Sequence, residues 1–190
     1  LYLSGVLFML FRSVRSLISI RNLQQDGLEP SESWQIRFKN LCRRLDINSG
    51  IVFLESKLIQ APQLVTFLKP AVIVPAGMLS NLPVSQIETI LLHELYHLKR
   101  KDHLINFLQI FIESVLFYHP AVWFVSDQIR SEREHCCDDG VLNTTGNPLA
   151  YAKALIHIAE KQHFTRLAPG TVGSGKHQFS SRIKRILNQN

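Results

Sequence analysis

Cysteine is scarce in this chain: three among 190 residues, at positions 42, 136 and 137, an odd number with two of them adjacent. That set builds neither a disulfide framework nor a spaced cysteine zinc cluster, so a reducing compartment and small buried thiols are expected. Methionine is scarcer still, with Met9 and Met78 both in the first half of the chain. No internal repeat is visible, and no uninterrupted apolar run reaches the ~20 residues that a whole membrane span needs. Basic residues exceed acidic ones by six, but they are scattered. The densest groups, Lys99-Arg100-Lys101 and Arg182 with Lys184-Arg185, lack aromatic interleaving or a nucleic-acid motif, which excludes nucleic acid as a partner and favours a basic face near anionic lipid.

What is present starts with an apolar stretch, Leu1 to Phe11, followed by Arg12, Arg15 and Arg21. We read it as the C-terminal part of a transmembrane helix with a basic juxtamembrane segment, residues 1–22. Charges that follow the apolar stretch argue against a signal peptide and place what comes next in the cytoplasm. Asp26 to Ser33 is polar and turn-rich, so residues 23–33 read as a linker and 34–190 as one folded domain of α+β class.

Within that domain, Trp34, Phe38, Leu41 and Leu45 fall at helical spacing, and Asn48-Ser49-Gly50 ends the helix. Ile51 to Leu54, Leu64 to Leu68 and Ala71 to Val74 read as short strands of a small sheet, and Pro75 to Pro83 as a loop. A helix through Ile87, Ile90, Leu91 and His97 follows. Leu104 to Val125 is strongly apolar but is interrupted by Asn106, Gln109, Glu113 and His119-Pro120, so it reads as two helices meeting near the proline. A charged helix from Ser126 to Leu142, a helix from Pro148 to Phe164, a Gly-rich loop from Pro169 to Lys176 and a basic terminal helix complete the chain.

Chemistry concentrates in His93-Glu94-Leu95-Tyr96-His97, an HExxH motif. Histidines four residues apart share one helix face and can reach one zinc ion, while Glu94 sits where a carboxylate can take a proton from water that the metal acidifies. A catalytic zinc needs a third protein ligand. His103 stands where a metzincin has its third histidine, but Arg100 replaces the glycine that class needs and no methionine lies downstream. A carboxylate from a later helix fits better. Glu134 is favoured over Glu113 and Glu132, because Asp138 follows one turn on and can accept a hydrogen bond from a ligand imidazole. His119 and Tyr118 are candidate donors to the oxyanion of the reaction, with a structural cap as the plainer role for His119. Asp102 is read as an anchor for the end of the motif helix and Trp123 as core. The strand ending near Val74 is read as an edge that could pair with an extended substrate.

Four blocks in order, Lys69-Pro-Ala-Val-Ile-Val-Pro75, His93 to Asp102, His119-Pro-Ala-Val-Trp123 and Glu134-His-Cys-Cys-Asp138, resemble the BlaR/MecR-type membrane zinc metallopeptidases. The resemblance covers roughly residues 34 to 187. It implies a gluzincin-like, zincin-type protease domain held between transmembrane helices of the bacterial cytoplasmic membrane. It further implies one zinc ion on His93, His97 and Glu134, with Glu94 as general base. Members that resemble the β-lactam receptors cleave themselves or a cytoplasmic repressor.

The expected function is therefore that of a membrane-tethered, cytoplasm-facing zinc endopeptidase acting in signal transduction, with a protein substrate and membrane lipid as partners. Two other readings stand beside it. One is a membrane quality-control or prenyl-peptide-processing zinc protease. The other is a non-catalytic signalling scaffold stabilised by metal, against which the intact Glu94 argues, since a purely structural site has no use for a general base.

Overall fold

The structure, a computed structural model, describes residues 2–9, 11, 15, 24, 26–47, 50–66, 69–165 and 174–188. Expectations that fall on Arg12, Arg21, Asn48, Ser49, Phe67, Leu68 and the segment 166–173 lie outside the described residues.

Helix α1, Glu32–Arg44, starts on an acidic residue and ends on Arg43 and Arg44, the charge order that complements a helix dipole. It buries Phe38, Leu41 and Cys42, and Phe38 stacks on Phe53 with ring centroids 4.6 Å apart. Phe53 belongs to β1, Val52–Ser56, which joins β2, Gln63–Val65, and β3, Ala71–Pro75, in a sheet of order β1-β3-β2. β3 runs parallel to β1 and antiparallel to β2. Its residues Ala71 to Val74 are all buried, as a central strand requires. The strand ending near Val74 therefore has no free edge, which corrects the expectation that it could receive a substrate. Among the described residues the free edge belongs to β2. The other flank is partly covered, because Leu28 and Glu55 exchange two backbone hydrogen bonds of 2.8 Å. The polar segment 26–33 is thus stitched to the sheet at Leu28.

The turn after β3 is not wholly irregular, since Met78–Asn81 forms a short helix, α2, that buries Met78 and Leu79. Helix α3, Val84–Lys99, follows Pro83 and buries Ile87, Ile90, Leu91, Leu92 and Leu95. These residues join Phe38, Phe53 and Val72 in the main core. Lys101 then takes a left-handed conformation (φ 58°), and α4, Asp102–Val115, begins at once. A side chain with a Cβ costs about 1 kcal/mol there.

Helix α5, Pro120–Thr145, has proline at its first position and ends on Gly146 in the left-handed region (φ 61°). α4 and the start of α5 form the expected pair of helices on either side of His119-Pro120. Helix α6 spans Pro148–Thr165 and α7 spans Ser174–Leu187. α3 is the hub: it touches the sheet and packs against α5 and α6. The close approach of α3 and α5 depends on Gly140, where an added Cβ would lie 2.6 Å from the Tyr96 ring. The Tyr96 hydroxyl shares a 2.7 Å hydrogen bond with Thr144 one turn on. No described helix is long and apolar enough to cross a membrane.

Of the three cysteines, Cys42 and Cys137 are buried and Cys136 is exposed, so the expectation of a core thiol fails at Cys136, which sits on the outer face of α5.

Candidate metal centre

Helical periodicity carries His93 and His97 onto the face of α3 that meets α5. Glu134 comes to the same point from α5. Nε2 of His93 lies 3.2 Å from Nε2 of His97 and 3.3 Å from one Glu134 carboxylate oxygen, and Nε2 of His97 lies 3.5 Å from the other. Ligand atoms ~2.0–2.2 Å from a tetrahedral zinc stand ~3.3–3.6 Å from one another, so this donor set fits the ion. Together the three residues form one group able to hold a metal.

Each histidine is oriented through its other nitrogen. Nδ1 of His97 donates to Asp102 Oδ2 over 2.8 Å. This pairing depends on the left-handed Lys101, which turns the first residue of α4 back toward α3. Nδ1 of His93 lies 2.8 Å from the Tyr151 hydroxyl, which donates to Asp138 Oδ1 over 2.5 Å. The direct distance from His93 Nδ1 to Asp138 is longer, 3.4 Å, so Asp138 acts on His93 mainly through Tyr151. Each Nδ1 thus has an acceptor for its proton, so Nε2 is the nitrogen that each ring would offer to a metal.

Arg182, from α7, completes the cluster. Its Nε and Nη2 grip the two oxygens of Asp138 at 2.6 Å each, and its Nη1 reaches Glu134 at 2.9 Å. Burial pushes the Glu134 carboxyl up, but hydrogen bonding by His93 and the charges of His93 and Arg182 outweigh it and hold it near 2. Burial likewise works against ionised Asp138, yet His93 and Arg182 keep its carboxyl well below the usual range. For His93 burial disfavours the imidazolium, and the neighbouring carboxylates overcome this and raise it to about 9. The metal-free centre thus holds a proton that a metal must displace.

Glu94 lines a cavity of about 260 Å³ beside His93, Glu134 and Arg182. Apolar side chains of Ile90, Leu155, Ile158 and Phe179 line it as well, together with Ala61 and Pro62, just before β2. The remaining candidates lie elsewhere. His103 lines a separate cavity with Leu45 and Leu98, Glu113 pairs with Arg130 at 2.8 Å, and Glu132 pairs with His135 at 3.5 Å. Tyr118 is 62% exposed and packs edge-on against Tyr2, and His119 is exposed, so neither side chain reaches the cavity and the oxyanion role is not placed on them. His119 makes no side-chain cap either. Trp123 is partly exposed and ties the α4–α5 junction through a 2.7 Å bond to the Phe117 carbonyl. Cys137 lies 3.3 Å from His97 Nδ1, and burial and the charges of Asp102 and Glu134 raise its pKa in the metal-free protein; with His97 and Asp102 it forms a second, more buried group of possible ligands that shares His97 with the first.

Sequence reading missed Tyr151 and Arg182 and gave Asp102 a lesser task. Tyr151 and Arg182 stand 58 and 89 residues from His93, with no spacing signal to mark them.

The fold and site define a helical protein with one small sheet and a two-histidine, one-carboxylate centre on an HExxH helix. Residues 1–186 match the family model described as BlaR1 peptidase M56, and the chain belongs to that family. It is 26% identical over 192 residues to the regulatory protein BlaR1 of Bacillus licheniformis, covering 98% of this chain and 32% of that protein. It is 22% identical over 191 residues to the methicillin resistance mecR1 protein of Staphylococcus aureus, again covering 98% and 32%. With the BlaR1 regulatory protein of S. aureus the identity is 26% over 140 residues, 73% of this chain and 24% of that protein. The chain spans about a third of the length of the first two relatives.

Proposed function

We propose that this chain carries the catalytic centre of a membrane-tethered, cytoplasm-facing zinc endopeptidase that cuts itself or a repressor-like protein during signalling. The observation that carries this reading is the position of Glu94, at the wall of an open cavity that two of the three converging donors, His93 and Glu134, also line.

His93, His97 and Glu134 would hold zinc, which supplies Lewis acidity to polarise a peptide carbonyl and lower the pKa of water toward ~7. Glu94 takes the proton from the attacking water and delivers it to the departing amine. Asp102, Tyr151 and Asp138 keep both imidazoles in the ligand tautomer throughout. The apolar wall of Ile90, Leu155, Ile158 and Phe179 excludes water and suits an apolar substrate side chain. The outer edge of β2, which runs on from Ala61 and Pro62, offers backbone donors and acceptors to an extended peptide.

Membrane contact is supported by the pair formed by α4 and the first half of α5. Its interior is polar: Gln109 and Ser126 are buried and joined by a 2.7 Å bond, Ser114 is buried, and Glu113 pairs with Arg130. Its exterior carries Leu104, Phe107, Leu108, Phe111 and Phe124, all more than half exposed. A water-facing pair of helices would reverse this order, whereas lipid favours it. Regulation is supported by relatives named as a regulatory protein and a methicillin resistance protein.

The test compares Glu94→Gln and Glu134→Ala with the parent, for zinc per chain and for self-cleavage in a membrane preparation. Glu94→Gln should keep its zinc and lose ~10²–10⁴-fold in cleavage, and Glu134→Ala should lose the zinc. Cleavage by Glu94→Gln at the parental rate would overturn the mechanism.

A further inference from the structure

We propose that Arg182 is a positioning residue of this centre, locking Asp138, Tyr151 and Glu134 into the arrangement that keeps the imidazole proton of His93 on Nδ1; its own Nη2, 3.3 Å from Nε2 of His93, must give that nitrogen up when the metal enters. The proposal rests on the assignment of His93, His97 and Glu134 as zinc ligands.

The guanidinium is a planar fork, and a carboxylate gripped at both oxygens is fixed in rotation as well as in place. Arg182 grips Asp138 in this way, with two contacts of 2.6 Å, and its third nitrogen holds Glu134 at 2.9 Å. Two carboxylates one turn apart on α5 are thereby tied to a single rigid plane that α7 supplies. Asp138 has no exposed surface, so no solvent can take over the task.

The fork also decides which way the neighbouring protons point. With both Asp138 oxygens receiving from Arg182, Oδ1 accepts the Tyr151 hydroxyl as well, at 2.5 Å. Tyr151 has only one proton to give, so its oxygen accepts, from Nη2 of Arg182 at 3.2 Å and from Nδ1 of His93 at 2.8 Å. The imidazole proton then stays on Nδ1. Once the fork is removed, Asp138 can rotate and the Tyr151 hydroxyl can turn toward His93. That hydrogen bond would favour the opposite tautomer, with the proton on the nitrogen a metal needs bare. A lysine at 182 would keep the charge but present a point and not a plane, and would restore only part of the arrangement.

The experiment measures zinc affinity by chelator competition for the parent, Arg182→Met, Arg182→Lys, Tyr151→Phe and the Arg182→Met/Tyr151→Phe double variant, with circular dichroism on each. Outer partners of metal ligands typically contribute ~10–100-fold in affinity, and a loss of that size is expected for Arg182→Met and for Tyr151→Phe, with Arg182→Lys between them and the parent. Because both residues act through one relay, the double variant should lose no more than the weaker-binding single. Parental affinity in Arg182→Met, or losses that multiply in the double variant, would overturn the proposal. If Arg182→Met does not fold, Arg182→Lys decides: weakened zinc binding in a folded protein upholds the role, and unchanged binding rejects it. Zinc binding that survives Glu134→Ala would instead remove the ligand assignment itself.

Discussion

The two halves of α5 differ in what they hide. Between Pro120 and Ile129 the helix turns Phe124 and Val125 outward and buries Ser126, and α4 beside it does the same with Phe107 and Gln109. From Arg133 onward the helix buries Cys137 and Val141 in the usual way, and with them Asp138, an ionised group that Arg182 and Tyr151 fully engage. The first half turns polar groups inward, where the Ser126 carbonyl accepts from Gln109, and leaves apolar surface exposed, the order that the proposed membrane contact would favour. The second half buries charge, which is tolerable only when every partner is in place. On the proposed membrane contact one helix would serve two environments, with the change between Ile129 and Arg133.

The largest test of this contrast is Asp138→Ala. It strands the Arg182 guanidinium without its main partner and should destabilise the fold by ~3–5 kcal/mol in chemical denaturation. A cost below ~1 kcal/mol would show that the second half tolerates unpaired charge after all.

A second test uses pH on the metal-free protein. Glu134 is held near 2 and Asp138 well below the usual range, so their stabilisation is present above ~4 and fades as the pH falls further. His93 is raised to about 9, so its contribution is complete below ~6.5 and is lost as the pH climbs through 9. Stability should peak between about pH 4.5 and 6.5 and drop on the order of 3 kcal/mol on the alkaline side, with zinc abolishing the alkaline drop. A flat melting profile from pH 5 to 10 in chelator would refute the coupling.

The smallest expected effect belongs to the first half. Phe107→Ser and Phe124→Ser should change folding stability by no more than ~0.5 kcal/mol while weakening binding to vesicles of anionic phospholipid. Large destabilisation without any change in vesicle binding would mean that these rings pack against protein.

Much of this contrast was legible in the sequence, though unevenly. The four-residue spacing of His93 and His97 needs only helical geometry, and Glu134 with Asp138 repeats that spacing on a second helix. The break at His119-Pro120 likewise marks the junction of α4 and α5. The inside-out order of that pair was not legible, because it depends on Gln109 meeting Ser126 across two helices. The role of Asp102 was hidden by the left-handed Lys101, which a lysine does not advertise. The central place of β3 was hidden because strand order depends on the crossover from β1, and two apolar strands read alike whichever lies in the middle.

Helix α5 is a single unbroken rod of 26 residues, about 39 Å long at 1.5 Å per residue. Trp123 and Glu134 lie on it without an intervening loop, roughly 16 Å apart along the axis. With no loop to absorb it, a tilt of the apolar arm would carry along the rod to the carboxylate, which lies between that arm and the tight contact of Gly140 with Tyr96.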